Sequence, residues 1–460
     1  MQTIKSVYFI GAGGIGMSAL ERYFLSQSLF VGGYDRTETP LTKELIREGA
    51  DIHYTDDVDA IPQVCRDPQT TLVVYTPAVP KDHRELTWFR QAGFEVKKRA
   101  EVLGYLTRQM KGLCVAGTHG KTTTTAMAAH LLHESHVGCN AFLGGIAKNY
   151  ATNYLLDNNS DFVVIEADEF DRSFHHLQPY ASVITATDPD HLDIYGTEEA
   201  YLESFTHYTS LIRPDGALIV HKDLKFKEAL PAGTRRFDYG RDVGDFHAEN
   251  IRIGEGRVCF DLISPLGNIS AIELGVPVSI NIENGIAAIA LAQIAGATPD
   301  EIREGMKTFQ GVDRRFDFKM KSDKVVLLSD YAHHPTEVRQ SILSVREVFN
   351  GRRIIGIFQP HLYTRTRDFY REFAESLSLL DEVILLDIYP ARELPIEGVS
   401  SKLIYDHLRA DMKKHLCDKS ALLPLLQKEE TDVVMVLGAG DVDAMVPQIA
   451  QMLKEKYNII

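Results

Sequence analysis

The chain has 460 residues, of which 44% are hydrophobic and 25% are charged, as in folded proteins and not in disordered ones. Its 49 Lys and Arg residues against 64 Asp and Glu residues give a formal net charge of −15. This charge argues against a general binder of nucleic acid or of an anionic membrane. At roughly 150 residues per domain, the length predicts about three domains.

The five cysteines predict a reducing compartment. They are odd in number and never spaced as CxxC, so neither a disulfide framework nor a structural zinc site is expected. The apolar run 7–10 is too short for a signal peptide. The longest apolar stretch, 286–297, is shorter than the ~18 residues that a membrane span requires. We therefore expect a cytoplasmic protein without a membrane partner.

The first predicted strand, residues 7–10, leads into a turn of the form G-x-G-x-x-G. Gly11, Gly13 and Gly16 supply its glycines, and Asp35 ends the next predicted strand, close to the usual spacing of about 20 residues. Glycines let the backbone approach a diphosphate, and the following helix N-terminus stabilises its charge. The pattern favours a diphosphate ligand and indicates NAD only weakly. A tight strand–helix turn without any ligand is the structural alternative.

A second apolar run, residues 113–116, leads into a predicted phosphate loop. Residues 117–122 read Gly-Thr-His-Gly-Lys-Thr and match the end of G-x-x-x-x-G-K-[ST], although Val115 stands at the first glycine. In such a loop backbone N–H groups hold phosphate oxygens, Lys121 contacts the outer phosphates, and the Thr122 hydroxyl can ligate Mg²⁺. The alternative is a glycine turn with an exposed lysine.

Two acidic segments follow predicted strands downstream of this loop. Residues 166–171 come after the run 162–165, and residues 187–193 come after the run 182–185. Ligand sites of α/β proteins form at the carboxyl ends of parallel strands, where carboxylates can hold Mg²⁺ or order its waters. A single carboxylate would be explained as a helix cap or a solvated group. Two clusters after one loop favour a metal site.

The last third places histidines and Arg365 after two further apolar strands, in segments 330–337 and 358–366. They could form a zinc site, an acid/base site or an anion clamp, and the lack of neighbouring cysteines disfavours zinc. Arg365 has the planar fork that pairs with a carboxylate. Capping of loops on the domain surface is the structural alternative.

The apolar runs are continuous instead of alternating, which predicts strands covered on both faces, as in parallel sheets. Helical patterns lie between them, so the predicted class is α/β with three sheets. We place the domain boundaries near residues 108 and 311, which gives domains 1–108, 109–311 and 312–460.

Taken together, the motifs resemble the Mur ligase family over nearly the whole chain. The resemblance rests on segments 11–18, 117–125, 166–169, 190–193, 314–316, 330–337 and 358–361. It implies an N-terminal Rossmann-like domain that binds a UDP-sugar, a central P-loop ATPase domain with a mostly parallel sheet, and a C-terminal Rossmann-like domain that binds an amino acid.

The resemblance also implies a reaction, its cofactors and its partners. ATP and Mg²⁺ would serve amide formation between L-alanine and the lactoyl carboxylate of UDP-N-acetylmuramate, through an acyl phosphate, in peptidoglycan precursor synthesis. The protein would be a monomer or a homodimer without a nucleic-acid or membrane partner. Three alternatives stay open: a ligase of recycled murein tripeptide to the same UDP-sugar, an NAD(P)-dependent dehydrogenase, and a regulatory or motor P-loop ATPase.

The resemblance assigns site residues motif by motif. The UDP-sugar residues would be Gly11, Gly13, Gly14, Gly16, Met17, Asp35 and His119. The ATP residues would be Gly117, Thr118, Gly120, Lys121, Thr122, Thr123, Asn281, Asn284, Arg315 and Asp330. The metal residues would be Thr122, Glu166 and His191, the L-alanine residues Tyr331, His333, His361 and Arg365, and the catalytic residues Lys121, His191 and Arg365. Two positions depart from the family pattern, Ile280 in place of a His and Leu362 in place of an Arg.

Overall fold

The structure is a computed structural model that describes residues 4–80, 82–189, 192–254, 256–391 and 393–459. The chain separates into two compact units. The first comprises Met1–Glu249, Leu262–Ile269 and Glu283–Met306, and the second comprises Asn250–Asp261, Ser270–Ile282 and Lys307–Ile460. Both contain helices and mostly parallel sheets, which confirms the predicted α/β class.

The first unit begins with a five-stranded parallel sheet in the order β3-β2-β1-β4-β5. Its central strand sends Val7 and Phe9 into one core cluster and Tyr8 and Ile10 into another. Helices therefore cover both faces, as the continuous apolar run predicts. The strands are β1 (Ser6–Ile10), β2 (Phe30–Tyr34), β3 (Asp51–His53), β4 (Thr71–Tyr75) and β5 (Glu95–Lys98). The helices are α1 (Ile15–Ser26), α2 (Pro40–Glu48), α3 (Arg84–Gln91) and α4 (Arg99–Gln109).

The first unit also holds a seven-stranded sheet in the order β12-β11-β10-β6-β9-β7-β8, with β8 antiparallel to its neighbour. Its strands are β6 (Lys111–Ala116), β7 (Asn140–Ala147), β8 (Thr152–Leu155), β9 (Phe162–Ala167), β10 (Ala181–Ile184), β11 (Ala217–His221) and β12 (Arg235–Tyr239). The helices are α5 (Lys121–His133), α6 (Leu192–Tyr195), α7 (Glu198–Thr209), α8 (Ile280–Ala295) and α9 (Pro299–Thr308), the last two with most of their residues in this unit.

The described residues form four sheets, so the prediction of three was wrong. The additional sheet has the order β13-β14-β15, and most of its residues belong to the second unit. Its strands are β13 (His247–Gly254), β14 (Arg257–Ile263) and β15 (Ile269–Glu273). Every second residue of β14 is buried. A strand that alternates in this way carries no continuous apolar run, which is why the sequence pattern missed it.

The second unit is built on a six-stranded sheet in the order β16-β17-β21-β18-β19-β20, parallel except for edge strand β16. Its three central strands are fully buried. The strands are β16 (Asp317–Lys321), β17 (Val326–Asp330), β18 (Ile354–Phe358), β19 (Glu382–Leu385), β20 (Lys413–Leu416) and β21 (Val433–Leu437). The helices are α10 (Pro335–Val348), α11 (Tyr363–Leu377), α12 (Lys402–His407), α13 (Lys419–Lys428) and α14 (Val446–Tyr457).

The helices and the cysteines bear on the expected location of the protein. None of the helices in the described ranges combines the length and the apolar composition needed to cross a bilayer. All five cysteines are free thiols, and three of them are buried.

Candidate active site

The first glycine turn connects β1 to α1 and is held by the end of β2. Gly11 has a φ of 90°, a left-handed conformation that favours glycine, and its N–H donates to the carbonyl of Tyr34 at 2.8 Å. The Asp35 carboxylate accepts the Gly13 N–H at 2.7 Å and the Thr37 N–H at 3.0 Å. Asp35 therefore shapes the turn, and a ligand contact from it stays a prediction.

Helix α1 starts directly behind this turn with an uncapped N-terminus. Gly14 occupies the N-cap without a side-chain hydrogen bond, and no acidic residue lies in the first helical turn. Met17 has its side chain in the core, 2% exposed, and its N–H donates to the carbonyl of Gly14 at 2.9 Å. The free N–H groups and the helix dipole make this end of α1 suitable for an anion.

The phosphate loop joins β6 to α5 and is packed against the end of β10. Gly117 and Gly120 have φ values of 127° and 78°. A Cβ atom on Gly117 would lie 2.3 Å from Thr185 Oγ1, so a larger residue has no room there. The Thr118 N–H donates to the carbonyl of Ala186 at 3.0 Å. Gly120 is the N-cap of α5 without a side-chain cap, as a phosphate-binding loop requires.

Lys121 is held inside this loop. Its ammonium group donates to the Gly117 carbonyl at 2.6 Å and to Glu169 Oε1 at 2.9 Å, and its side chain is 13% exposed. Burial by itself would lower the pKa of Lys121, but the carboxylates of Glu169, Asp168 and Glu166 raise it. Burial raises the pKa of Glu169 to about 7, although the charge of Lys121 and its hydrogen bond lower this pKa. The alternative of a turn with an exposed lysine is therefore wrong.

Two of the three predicted metal residues meet beside Lys121. The Thr122 hydroxyl donates to Glu166 Oε1 at 3.2 Å. The other oxygen, Glu166 Oε2, is buried and has no hydrogen-bond partner within the described ranges. A Cβ atom on Gly144 would lie 2.1 Å from that oxygen, so glycine leaves the space open. A hydroxyl oxygen and a carboxylate oxygen with a free lone pair are the kinds of ligand that Mg²⁺ prefers. The third residue, His191, lies outside the described residues.

The remaining predicted ATP and sugar residues differ in their surroundings. Asn284 accepts the Thr124 hydroxyl at 3.2 Å, beside the loop. His119 belongs to the loop itself, with its Nε2 atom 3.7 Å from Asp188. Thr123 is half-buried at the start of α5. In the second unit, the side-chain amide of Asn281 donates to the Val276 carbonyl at 3.1 Å.

Asp330 ends β17 in the second unit and is almost completely buried. Burial raises the pKa of Asp330 to about 6, although the Ser341 hydroxyl at 2.7 Å and the charge of Arg315 oppose the shift. The Arg315 guanidinium lies 4.9 Å from the ring centroid of Tyr331. These contacts connect the predicted nucleotide residues of this unit to its predicted amino-acid residues.

The four predicted amino-acid residues come together where β17 and β18 end. The Tyr331 and His333 rings are 5.2 Å apart, and the His333 and His361 rings are 6.0 Å apart. The Arg365 Nη1 atom lies 3.3 Å from His361 Nδ1. Burial lowers the pKa of His333 to about 4, so its imidazole is neutral at pH 7. Arg365 pairs with no carboxylate within the described ranges, which leaves its fork available to one.

Sequence reasoning missed two residues that shape these sites. It marked segment 166–171 as acidic but gave no role to Glu169, because only the fold shows that this carboxylate reaches Lys121. Arg314 also had no assigned role. Its guanidinium covers the Tyr331 ring at 4.7 Å and donates to the carbonyls of Gly438 and Gly440 at 3.2 and 3.1 Å.

A different group in the second unit has the composition of a metal site. Ligand atoms of Glu382, His415 and Glu429 lie within 4.8 Å of one another. However, Arg353 and Lys413 form ion pairs with these two carboxylates. Two cations already balance the two carboxylates and would repel a metal ion, so we interpret the group as an ion-pair network.

Family comparisons agree with the layout of these sites. Three models match in succession: the Mur ligase family catalytic domain over residues 6–111, the Mur ligase middle domain over 115–292, and the Mur ligase glutamate ligase domain over 314–440. The chain belongs to the Mur ligase family. This confirms the resemblance and its three-domain α/β fold, with the phosphate loop in the middle domain.

Individual Mur ligases extend this result to the whole chain. A UDP-N-acetylmuramate–L-alanine ligase of Phocaeicola vulgatus is 66% identical over 456 residues, which are 99% of this chain and 100% of that protein. The crystal structure of a UDP-N-acetylmuramate–alanine ligase from Thermotoga maritima has a TM-score of 0.79 and 28% identity, over 98% of this chain and 99% of that one. A murein peptide ligase from Psychrobacter arcticus, at 20% identity and a TM-score of 0.66 over 99% of both chains, shares the fold alone.

Proposed function

We propose that this chain is an ATP-dependent ligase that joins L-alanine to the lactoyl carboxylate of UDP-N-acetylmuramate, in peptidoglycan precursor synthesis. The observation that carries the proposal is a phosphate loop that ends in Gly-Lys-Thr, with Lys121 charged and enclosed, in a chain 66% identical to a ligase of that name. The five free cysteines fit action in the cytoplasm.

The phosphate loop would serve the first step of the reaction. A carboxylate and an amine do not condense in neutral water. A carboxylate oxygen therefore first attacks the γ-phosphorus of ATP, the bond to the bridging oxygen breaks, ADP leaves, and an acyl phosphate forms. This step brings two anions together. Lys121 and the free N–H groups of α5 would bind the phosphates and neutralise their charge, the largest contribution to phosphoryl transfer.

We propose Mg²⁺ as the metal, held by Thr122, Glu166 and His191. The support is the buried, unpartnered oxygen of Glu166 beside the Thr122 hydroxyl. When bound, the ion would neutralise phosphate charge and fix the orientation of the β- and γ-phosphates. Asn281, Asn284, Arg315 and Asp330 remain proposed nucleotide contacts.

The second step needs an amine held beside the acyl phosphate, and the cluster around Arg365 suits this task. Arg365 would bind the carboxylate of L-alanine in a bidentate pair. A neutral His333 does not repel the amino group, and Tyr331 and His361 would enclose the methyl group. Attack of the amine on the acyl carbonyl forms the amide and releases phosphate.

We propose that domains 1–108, 109–311 and 312–460 bind the UDP-sugar, ATP and the amino acid respectively. The three family models, with their gaps near residues 112–114 and 293–313, support this division. In the first domain, the glycines of the turn would contact the diphosphate of the UDP-sugar, together with Met17, Asp35 and His119.

Mass spectrometry of the reaction products tests the proposal. Purified protein receives UDP-N-acetylmuramate, ATP, Mg²⁺ and an equimolar pool of amino acids and murein tripeptide. We expect the mass of the L-alanine adduct, together with ADP and phosphate. Preferential formation of the tripeptide adduct would instead identify a murein peptide ligase. ATP hydrolysis that needs neither the sugar nor an amine would identify a P-loop ATPase.

A further inference from the structure

Arg99 lies near the first glycine turn, and the proposed reaction leaves it without a role. It is the first residue of α4, directly after β5. All strands of this sheet are parallel, so the start of α4 lies at the same edge as the turn after β1.

The guanidinium of Arg99 lies against Gly16, the last glycine of the turn motif. A Cβ atom on Gly16 would lie 2.5 Å from Arg99 Nη1, 2.6 Å from Cζ and 2.9 Å from Nε. Gly16 lies inside α1 and has no left-handed φ, so its backbone conformation does not call for glycine, which is a poor helix former. What glycine provides at this position is room for the guanidinium.

Arg99 has no acceptor of its own. Within the described ranges it forms neither a hydrogen bond nor an ion pair, and its Nε atom is buried. The other two arginines of this domain that are not exposed do have acceptors: Arg22 pairs with Glu48, and Arg66 donates to two backbone carbonyls. Because guanidinium N–H groups that are removed from water need acceptors, the missing acceptor points to a ligand.

The surroundings of Arg99 select an anion. The uncapped N-terminus of α1 starts beside Gly16, with no acidic residue in its first turn. The Asp35 carboxylate is bound to the N–H groups of Gly13 and Thr37. A ligand with two neighbouring negative groups could therefore accept from α1 and from the planar fork of Arg99 together.

We infer that Arg99 is a substrate-binding residue that holds the diphosphate of the UDP-sugar against the first glycine turn. The inference rests on the proposed function, which supplies the identity of the sugar nucleotide. It makes Gly16 a spacer for the arginine as well as a part of the turn.

Calorimetric titration of the full-length protein with UDP tests the inference. A saturating non-hydrolysable ATP analogue keeps UDP away from the phosphate loop. Arg99→Ala should weaken UDP binding about ten- to a hundredfold, as expected for lost charge-assisted hydrogen bonds. The UDP affinity of Arg99→Lys should lie between those of Arg99→Ala and the unaltered protein. The control is Arg108→Ala, an exposed position of the same helix, which should bind UDP like the unaltered protein.

Steady-state kinetics and melting separate binding from a structural role. In Arg99→Ala the KM for UDP-N-acetylmuramate should rise by a similar factor, while the KM values for ATP and L-alanine and the ligand-free melting temperature stay nearly unchanged. Unaltered UDP affinity in Arg99→Ala, or a parallel rise of all three KM values with a lower melting temperature, overturns the inference alone. Failure of the unaltered protein to bind UDP or to use the UDP-sugar overturns the proposed function as well.

Discussion

Replacing Lys121 with alanine should affect stability as well as catalysis, because the lysine pairs with a buried carboxylate. Glu169 is 2% exposed, and the ordinary pKa of its side chain is 4.5. Once the Lys121 charge is lost, burial favours the protonated form of Glu169 in the folded protein, whereas the unfolded chain ionises it. Stability of the variant must therefore fall as the pH rises above 4.5.

The size of this effect follows from the cost of holding the carboxyl group neutral. One pH unit corresponds to about 1.4 kcal/mol, so the penalty is at most about 4 kcal/mol at pH 7.5 and about 2 kcal/mol at pH 6. Glutamine at position 169 keeps the shape of the side chain without a titratable proton. The double variant Lys121→Ala/Glu169→Gln should therefore recover the lost stability.

Urea unfolding of both variants and of the unaltered protein at pH 6 and pH 7.5 measures these differences. The double variant should exceed the single variant in free energy of unfolding by up to about 4 kcal/mol at pH 7.5 and about half of that at pH 6. Both variants should lose activity about a hundredfold or more, because neither neutralises the phosphates. A stability gap that stays constant with pH, or no gap at all, would refute this reasoning.

Three further changes probe the other sites. Glu166→Gln should raise the Mg²⁺ concentration for half-maximal rate, with partial recovery at high Mg²⁺; a lower melting temperature with unchanged metal dependence would speak against a ligand role. Arg365→Lys should raise the KM for L-alanine strongly and leave the KM values for ATP and the UDP-sugar nearly unchanged. Burial raises the pKa of Glu85, which accepts the Tyr8 hydroxyl, to about 7. A buried acid of this kind destabilises the folded protein increasingly as the pH rises from 4.5 to 7. Glu85→Gln removes this penalty, so the gain in free energy of unfolding should be larger at pH 8 than at pH 5, by up to about 3 kcal/mol.

The strands around the sites could be predicted from the sequence because each is buried on both faces. Residues 113–116 and 433–437 are apolar throughout, and the structure places them in central strands β6 and β21. The grouping of Tyr331, His333 and His361 was implied by the family resemblance, and the structure brings their rings together where β17 and β18 end. Strand β14 escaped because it is buried on one face only.

The contacts that tune the sites could not be predicted in the same way. Lys121 and Glu169 are 48 positions apart, and Gly16 and Arg99 belong to different strand–helix units of one sheet. A sequence motif records which residue types stand at a fixed spacing. It carries no information about which distant side chain enters the space beside them, because that depends on strand order and on the packing of helices.

Three cations of the proposed sites, Lys121, Arg99 and Arg365, differ in how they are kept charged. Lys121 is enclosed and has a carboxylate partner, whereas Arg99 and Arg365 have none within the described ranges. Side-chain chemistry accounts for this difference, since burial readily removes the proton of an ammonium group but not that of a guanidinium. The carboxylate of Glu169 helps to keep Lys121 charged, as its proposed contact with ATP phosphates requires. The arginines need no carboxylate partner to stay charged. Their N–H groups can therefore remain available for the diphosphate and for the amino-acid carboxylate. In a chain with a net charge of −15, attraction of anionic substrates then depends on these few local cations and on the helix N-termini beside them.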